Sequence, residues 1–333
     1  MRYVIVGAGA IGGTIGGRLA DAGRDVVAVA RGVHGEVLSR HGLTLALPDR
    51  VILVKVPVVP SIAELQLQPN DVLILAVKSH DSAGILAQLG ELPVGTSTAG
   101  QVLPIFCFQN GINNEPMALR YFTNVHGVCV ALPATYLEAG RVEAQGSPAS
   151  GVLEVGRFPQ GTDATDHRIV EDLTQSGFIA QSRTNVMAWK RAKLVQNLGN
   201  AFEPLCGPDL SEADVARVVE LIGLARKEAH ACFAAAGLEV VSDHDRDAAL
   251  SGQLNVLPVG GQHRKGGSTW QSITRGIGSV ETDFLNGEIV LLGRLHGVPT
   301  PVNEEVQRRM ASLAHGGQTT EIVSPLQMLA VVA

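Results

Sequence analysis

The chain has 333 residues, of which 45% are apolar and 17% are charged, and its formal net charge is −6. This length allows two domains, and the apolar fraction excludes a disordered chain. An acidic balance without a long basic run argues against nucleic acid as a partner, so a small molecule is the expected ligand.

Three sequence features concern location, redox state and metals. No stretch reaches the roughly 18 uninterrupted apolar residues that a membrane helix needs, so we expect a cytoplasmic protein without a membrane partner. The four cysteines lack metal-type spacing and are expected to be reduced thiols. His244 lies in the charged segment SDHDRD without a second cluster, so no metal site is expected. The sequence leaves the oligomeric state open, with a homodimer as one alternative.

A glycine-rich turn follows the first predicted strand. Tyr3–Val6 is a short apolar run, a helix should follow it and end near Gly23, and Asp25–Ala30 is a second apolar run. The spacing GxGxxG between a strand and a helix permits a tight turn, close approach of a pyrophosphate and close packing of the helix on the sheet. The alternative is a tight turn without a ligand. We interpret the motif as a dinucleotide site formed by Gly7, Ala8, Gly9, Ala10, Ile11 and Gly12.

An arginine stands where the second predicted strand ends. NAD enzymes usually place Asp or Glu there to bind the ribose hydroxyls, whereas this chain has Arg31 in the segment VAVARG. A guanidinium suits the 2′-phosphate of NADP(H), so we expect NADP(H) rather than NAD. The alternative is a surface arginine beside a helix cap.

Two later apolar runs end in polar residues. Asp71–Val77 leads into Lys78, and Val102–Phe108 leads to Asn110 and Gly111. Ligands of open α/β sheets bind beyond the carboxyl ends of the strands, so Lys78 and Asn110 are candidate ligand contacts. The alternatives are a lysine that begins a helix and a simple Asn-Gly turn.

The remaining pattern places a change of architecture near residue 183. Residues 140–158 are predicted to form a hairpin with a Gly/Ser/Pro loop, followed by a helix over Asp163–Gln175 and a last strand over Phe178–Gln181. From Asn185 onward the pattern is almost entirely helical. The expected fold class is α/β, with an N-terminal Rossmann-type doubly wound sheet (1–183), an all-α C-terminal domain (184–315) and a C-terminal tail (316–333).

A polar stripe runs along the first helix of the second half. In the segment AWKRAKLVQNLGN, helical spacing places Lys190, Lys193, Asn197 and Asn200 on one face. The alternatives are a solvated face and a ligand-binding face. Glu281, which precedes a predicted helix, is likewise either a residue that favours the helix dipole or a ligand contact.

Taken in order, the motifs GAGAIGG, VAVARG, AVKSHD, FQNG, WKRAKLVQN, ETDFLNG and HGVPTPVN resemble those of the ketopantoate reductases, the NADP-dependent 2-dehydropantoate 2-reductases. The resemblance covers residues 1 to about 312. It implies a Rossmann domain joined to a helical domain, with the substrate in the cleft between them.

The resemblance also implies roles on the substrate side. Lys193 matches the general acid, Asn197 a substrate-binding asparagine, and Glu281 the glutamate that holds the substrate hydroxyl groups. The chain departs from the family pattern at STWQS, so the serine that binds the substrate carboxylate maps to Ser268 or Thr269. These departures affect the substrate motifs, whereas the cofactor motifs match the family pattern.

On the cofactor side, Arg31 matches the residue that meets the 2′-phosphate, Lys78 the lysine near nicotinamide and substrate, and Asn110 the asparagine of the NG turn, which is expected to contact cofactor and substrate. The role of the basic loop His263-Arg264-Lys265, solvated or facing a carboxylate, stays open.

The expected function is NADPH-dependent reduction of ketopantoate to (R)-pantoate, as in pantothenate and coenzyme A biosynthesis. Lys193 would donate the proton, with a pKa lowered by burial and by nearby Lys78 or Lys190. The alternatives are reduction of another branched or hydroxylated 2-oxo acid, and a non-catalytic NADP-binding sensor.

Overall fold

Strands and helices alternate through the first half of the chain, and helices predominate after it. The computed structural model describes residues 1–263, 281–315 and 322–332. In chain order the strands are β1 (Arg2–Val6), β2 (Asp25–Val29), β3 (Leu43–Ala46), β4 (Val51–Val54), β5 (Val58–Val59), β6 (Asp71–Leu75), β7 (Pro93–Val94), β8 (Ser97–Thr98), β9 (Pro104–Cys107), β10 (Asn124–Ala131), β11 (Ala134–Glu138), β12 (Arg141–Ala144), β13 (Gly146–Pro148), β14 (Val152–Arg157), β15 (Ile179–Ser182) and β16 (Leu254–Val256).

The helices in these residues are α1 (Ala10–Asp21), α2 (Gly32–His41), α3 (Ser82–Gly90), α4 (Ala99–Val102), α5 (Asn114–Ala118), α6 (Ala164–Gln175), α7 (Val186–Asn197), α8 (Phe202–Cys206), α9 (Glu212–Ala235), α10 (Asp243–Leu250), α11 (Asn286–His296), α12 (Pro301–His315) and α13 (Pro325–Val332). Short 3₁₀ turns occur at Ile62–Glu64, Ser79–Asp81, Leu198–Ala201 and Glu281–Phe284.

The main sheet has eight strands in the order β5-β2-β1-β6-β9-β10-β14-β15. The strands from β5 to β10 are parallel, which is the 3-2-1-4-5-6 order of the dinucleotide-binding fold. Strand β14 pairs antiparallel with β10, and β15 forms the edge beside it. The predicted Rossmann-type sheet is confirmed, and β15 is its last strand along the chain.

The apolar runs of the sheet are buried on both faces. Tyr3 and Ile5 belong to one hydrophobic core, and the alternate residues Val4 and Val6 belong to the other. Helices α1 and α6 cover the first face, whereas α3, α4 and α5 cover the second. Burial on both sides explains why these strands appear in the sequence as continuous apolar runs.

Helix α1 lies between two sheets, at short distance from both. The second sheet has the order β11-β12-β3-β4. A Cβ atom at Gly16 would lie 3.0 Å from Ile5 Cγ1 in the main sheet, and one at Gly13 would lie 2.9 Å from Val142 Cγ2 in the second sheet. The paired glycines of AIGGTIGG therefore permit close contact on both sides of the helix, despite their cost to helix stability.

The hairpin predicted within residues 140–158 is wrong. Strand β12 pairs with β11 and β3 in the second sheet, whereas β14 lies inside the main sheet. Their burial explains the separation, because β12 alternates between buried and half-buried residues while β14 is buried almost throughout. The Gly/Ser/Pro stretch contains β13, which pairs with β16.

Helix α6 begins and ends close to the predicted bounds. The Asp163 carboxylate accepts hydrogen bonds from the backbone N–H groups of Thr165 and Asp166, and the Asp166 side chain accepts one in return from the N–H of Asp163. This reciprocal capping box fixes the first turn of the helix.

The chain divides into two compact units. One contains residues 1–190 and 242–263, and the other contains residues 191–241 and the described residues from 281 onward. The division falls inside α7, some residues after the boundary expected near 183, because the beginning of α7 packs on strands of the first unit. The second unit is helical, with α11, α12 and α13 packed against the long helix α9. Helix α13 lies within the stretch expected to be a tail, and its Met328 is fully buried.

The described residues also bear on the state of the cysteines and on membrane-spanning helices. Cys107, Cys129, Cys206 and Cys232 are all buried and unbridged, as predicted. No described helix combines the length and apolarity needed to cross a membrane.

A buried hydroxyl to carboxylate bond joins β1 to α6. Tyr3 Oη donates to Asp172 Oδ2 at 2.5 Å, and Tyr3 is fully buried. Removing the hydroxyl leaves part of a buried carboxylate without its donor, so Tyr3→Phe should lower the free energy of unfolding by about 1–3 kcal/mol. Urea unfolding measures this change. The exposed Tyr121→Phe is the matched control, and equal stability of the two variants would contradict the expectation.

Candidate active site

The glycine turn after β1 fits a bound pyrophosphate. Gly7 has φ +100°, and a Cβ there would lie 2.7 Å from Val77 Cγ1. A Cβ at Gly12 would collide with the carbonyl oxygen of Gly7. At Gly9, in contrast, a Cβ would meet no atom of the described protein within 4 Å. Packing therefore accounts for Gly7 and Gly12, whereas Gly9 keeps the start of α1 open to a ligand's approach.

His34 of α2 holds this turn against the second sheet. Its Nε2 lies 2.8 Å from the Ala8 carbonyl oxygen, and the Gly140 N–H donates to its Nδ1 at 3.0 Å. These partners assign the ring proton to Nε2, because Nδ1 must accept. Burial lowers the pKa of His34 below its ordinary value of 6.5, opposed by the bond to Ala8. The neutral ring is therefore the form that makes both contacts.

Arg31 is separated from the end of β2 by Ala30 alone and immediately precedes α2 as its N-cap residue. Its side chain is 84% exposed, and its Nη2 lies 3.5 Å from Asp81 Oδ2. Beside it, Ala30, Gly35, Arg40 and Pro60 line part of a cavity of about 320 Å³. The guanidinium thus lies at the end of β2 with most of its surface open to solvent.

Lys78 and Asn110 follow neighbouring strands of the main sheet. Strands β6 and β9 are paired and parallel, so both residues emerge at the same edge. The Gln109 side chain ties the two turns together, because its Nε2 donates to the Val77 carbonyl oxygen at 2.8 Å. Gly111 has φ +79°, so the backbone at Asn110-Gly111 is a turn, as one alternative had it. A ligand-binding role for Asn110 is compatible with that turn and stays a prediction.

A buried polar cluster lies beneath these two turns. Ser82 Oγ accepts from Gln109 Nε2 at 2.8 Å and donates to Asn114 Oδ1 at 3.0 Å. Asn114 Nδ2 donates to Ser79 Oγ at 3.1 Å and to the Asn110 carbonyl oxygen at 3.2 Å. Side chains of α3 and α5 thereby fix the backbone after both strands.

Lys190 belongs to this cluster. Its Nζ lies 2.6 Å from Glu115 Oε1, and it donates to the carbonyl oxygens of Gln109 at 2.8 Å and Val128 at 3.4 Å. Burial raises the pKa of Glu115, and the neighbouring lysine opposes that rise. The Lys190 side chain is only 2% exposed, which excludes the solvated-face alternative for this residue. Glu115 therefore supplies the opposite charge against which this buried ammonium is placed.

The rest of the predicted stripe lies in the helical unit. Lys193 is half-buried and its Nζ donates to Gln196 Oε1 at 3.3 Å, and Asn197 is buried. Asn200 lies in the 3₁₀ turn after α7, where side chains three residues apart are aligned, so its place on the face of Asn197 stays a prediction. The α-helical spacing ends at Asn197 because the chain tightens there into i→i+3 bonds.

Glu281 is buried in the 3₁₀ turn before α11. Five residues on, Asn286 Nδ2 donates to the Leu198 carbonyl oxygen at 3.3 Å and to Asn303 Oδ1 at 3.0 Å. Asn303 Nδ2 in turn donates to Glu228 Oε2 at 2.6 Å. These bonds connect the segment that carries Glu281 to the end of α7, next to Asn197.

Some predicted site residues cannot be placed. Ser268, Thr269, Arg264 and Lys265 lie outside the described residues, and His263 is exposed.

A separate group in the described ranges has the spacing of metal ligands. Ligand atoms of His126, Asp163 and Asp166 lie within 4.8 Å of one another. His126 Nδ1 lies 2.7 Å from Asp166 Oδ1, its Nε2 lies 3.0 Å from Asn124 Oδ1, and Asp163 caps α6. These contacts already account for the group, because they hold α6 against β10.

Sequence reasoning missed Glu115, His34 and most of the role of Lys190. One signal was present, because Glu115 is the only acidic residue in the long stretch of sequence between Glu91 and Glu138. An isolated charge in such a segment predicts a buried partner of opposite charge.

The glycine turn generates a first prediction. Gly9→Ala should fold normally but weaken dinucleotide binding, because its methyl group meets no protein atom and extends toward the expected pyrophosphate. Gly12→Ala should lower the melting temperature even without ligand, because its methyl group collides with Gly7. Thermal unfolding and fluorescence titration with NADPH separate the two effects. Loss of stability in Gly9→Ala would contradict the ligand interpretation.

His34 generates a second prediction. Because its folded-state pKa is lowered, the stability that it contributes is present above its unfolded pKa of about 6.5 and declines as the pH falls toward the folded value. The difference in melting temperature between wild type and His34→Ala should therefore shrink from about pH 8 to about pH 5. A constant difference across this range would contradict the assignment of Nδ1 as an acceptor.

Comparison with known proteins identifies the family. Two family models match, namely Ketopantoate reductase PanE/ApbA over residues 3–160 and its C-terminal counterpart over residues 185–313. A curated 2-dehydropantoate 2-reductase of Archaeoglobus fulgidus is 27% identical over 318 residues, which covers 95% of this chain and 97% of that protein. One from Mesorhizobium japonicum is 29% identical over 348 residues, with coverage of 94% and 98%.

Solved structures share the fold. A D-mandelate dehydrogenase with NADH and anilino(oxo)acetate has a TM-score of 0.78 at 21% identity, covering 95% of this chain and 99% of that one. A PanE/ApbA family ketopantoate reductase from Ralstonia eutropha has a TM-score of 0.76 at 23% identity, with coverage of 96% and 100%. Because the two family models together span both halves of the sequence, the chain belongs to the ketopantoate reductase PanE/ApbA family.

Proposed function

We propose that the chain catalyses the NADPH-dependent reduction of 2-dehydropantoate (ketopantoate) to (R)-pantoate. The observation that carries this proposal is the nearly full-length similarity to relatives named 2-dehydropantoate 2-reductase. The open approach at Gly9 and the lysine and asparagine on one helix are compatible with it.

The proposed roles follow from the chemistry of the reaction. NADPH held at the glycine turn would supply a hydride to the 2-oxo carbon, so the attached oxygen would gain negative charge. Lys193 then donates a proton to that oxygen, and Asn197, four residues on along α7, orients it by hydrogen bonding. Glu281 accepts a hydrogen bond from the substrate hydroxyl group and so favours hydroxylated substrates over plain 2-oxo acids, which lack that donor. Ser268 or Thr269 binds the substrate carboxylate.

The proposed cofactor contacts lie in the first unit. The backbone of Gly7 to Gly12 binds the pyrophosphate at the start of α1, where the helix dipole favours an anion. Arg31 binds the 2′-phosphate, and its exposure is compatible with that role. Lys78 and Asn110 contact the nicotinamide end and the substrate. NADP(H) as the cofactor, a homodimeric assembly and a cytoplasmic location stay predictions.

A second candidate is reduction of a different branched or hydroxylated 2-oxo acid. The departure from the family pattern at STWQS favours it, because the change affects the residue assigned to the substrate carboxylate. The solved D-mandelate dehydrogenase supplies a suitable comparison compound, the aromatic 2-oxo acid that corresponds to mandelate.

One experiment separates the candidates. NADPH and NADH oxidation should be followed with ketopantoate, with the 2-oxo acid of mandelate and with aliphatic 2-oxo acids lacking a hydroxyl group. The proposal expects the highest kcat/KM with ketopantoate and NADPH, and Arg31→Ala should raise the KM for NADPH more than that for NADH. Preference for another 2-oxo acid would support the second candidate, and turnover of none would contradict both.

The general acid generates a further prediction. Lys193→Ala should lower kcat by roughly 10²–10⁴-fold, the usual contribution of a positioned proton donor. NADPH affinity, measured by fluorescence titration, should remain within about twofold of wild type, a difference that corresponds to less than 0.5 kcal/mol. The exposed Lys227→Ala in the same unit is the matched control. Near-normal turnover by Lys193→Ala would assign the proton donor elsewhere.

A further inference from the structure

The buried Lys190 and Glu115 pair is a charged group that the proposed reaction does not use. Both side chains are almost inaccessible to solvent, and Nζ lies 2.6 Å from Oε1. Taking two charges out of water costs several kcal/mol for each ion, and apolar replacement of such pairs is often neutral or stabilising. Stability alone is therefore a weak explanation for the pair.

The contacts of Lys190 point to a role at the Gln109-Asn110-Gly111 turn. A buried carbonyl oxygen needs a donor, and Lys190 Nζ supplies one to Gln109 at 2.8 Å. The same ammonium reaches the Val128 carbonyl oxygen of β10, the strand beside β9. One charged group thus joins α7, the turn after β9 and the neighbouring strand.

Glu115 offsets part of the electrostatic cost of burying the Lys190 ammonium. It lies on α5, immediately after Asn114, whose side chain donates to the Asn110 carbonyl oxygen at 3.2 Å. Adjacent residues of α5 therefore support the turn in two ways, directly through Asn114 and through the ion pair of Glu115 with Lys190. The carbonyl oxygens of two consecutive residues, Gln109 and Asn110, therefore both accept hydrogen bonds from this cluster.

We propose that Lys190, neutralised by Glu115, is a positioning residue that sets the Asn110 side chain for its contact with the nicotinamide cofactor and substrate. The inference rests on the proposed function only where it assigns that contact to Asn110. Lys190 touches neither reactant and acts through the turn. A proton donor misplaced by about 1 Å can lose about 10²-fold in rate, and the same sensitivity applies to a binding group.

The first test uses variants that separate positioning from stability. The double variant Lys190→Met/Glu115→Leu removes both charges and should unfold at a temperature close to wild type, because relief from charge burial offsets the lost donor to the Gln109 carbonyl oxygen. It still lacks the donor to Gln109, so kcat/KM with ketopantoate should fall roughly tenfold or more, the loss expected for one charge-assisted hydrogen bond. The exposed Lys55→Met in the same unit is the matched control. A stable double variant with wild-type kinetics would overturn the proposal.

The second test asks whether Lys190 acts through Asn110. In a cycle with Asn110→Ala, the Lys190→Met/Glu115→Leu change should have little additional effect, because the side chain that it positions is already absent. Additive losses would show that the pair acts elsewhere. Lys190→Arg, which keeps a charged donor, should recover part of the lost activity.

The dissociation constant for NADPH should also be measured for every variant of this cycle, because binding requires no turnover. If wild type fails to reduce ketopantoate but the binding losses are non-additive, the proposed substrate is wrong and the positioning role stands. If wild type reduces ketopantoate and the losses are additive in both measurements, the proposed function stands and the positioning role is wrong.

Discussion

The close packing of α1 between two sheets is the constraint on which the first unit depends. Gly13 and Gly16 permit contact on opposite sides of the helix, and Gly12 lies against the turn at Gly7. This packing fixes the position of the helix N-terminus at the carboxyl edge of the sheet, where partial positive charge and free backbone N–H groups favour a phosphate. The anion site is therefore a consequence of how the core is packed, and side chains contribute little to it.

Beyond the glycine turn, buried polar side chains hold the backbone near the candidate site residues. The turns after β6 and β9 are held by Gln109, Asn114 and the Lys190 and Glu115 pair. In the helical unit, Asn286 holds the end of α7 in a comparable way. In both units the candidate site residues lie next to a backbone group that a buried side chain fixes. Such groups have few alternative partners in a low-dielectric interior, so the backbone they hold is well defined.

Local patterns in the sequence predicted the main sheet and the first helix, because strands buried on both faces form continuous apolar runs. Which strands and side chains pair with each other was not predictable in the same way. Residues 140–158 contain suitable hairpin turns, yet β12 and β14 belong to different sheets. Lys190 and its acceptor Gln109 are 81 residues apart in sequence, and helical spacing alone could not separate a solvated lysine from a buried one. Long-range pairing depends on tertiary packing, which periodicity does not encode.

The two halves of the candidate site differ in how much change they tolerate. On the proposed cofactor side, recognition is assigned to backbone approach, because a Cβ atom at Gly7 or Gly12 would meet the fold and one at Gly9 would extend toward the expected ligand. On the proposed substrate side, recognition is assigned to side chains, namely Asn197, Glu281 and one of Ser268 or Thr269. A family can therefore keep one hydride-transfer chemistry while its substrate changes, because specificity requires only new hydrogen-bonding groups around a fixed nicotinamide.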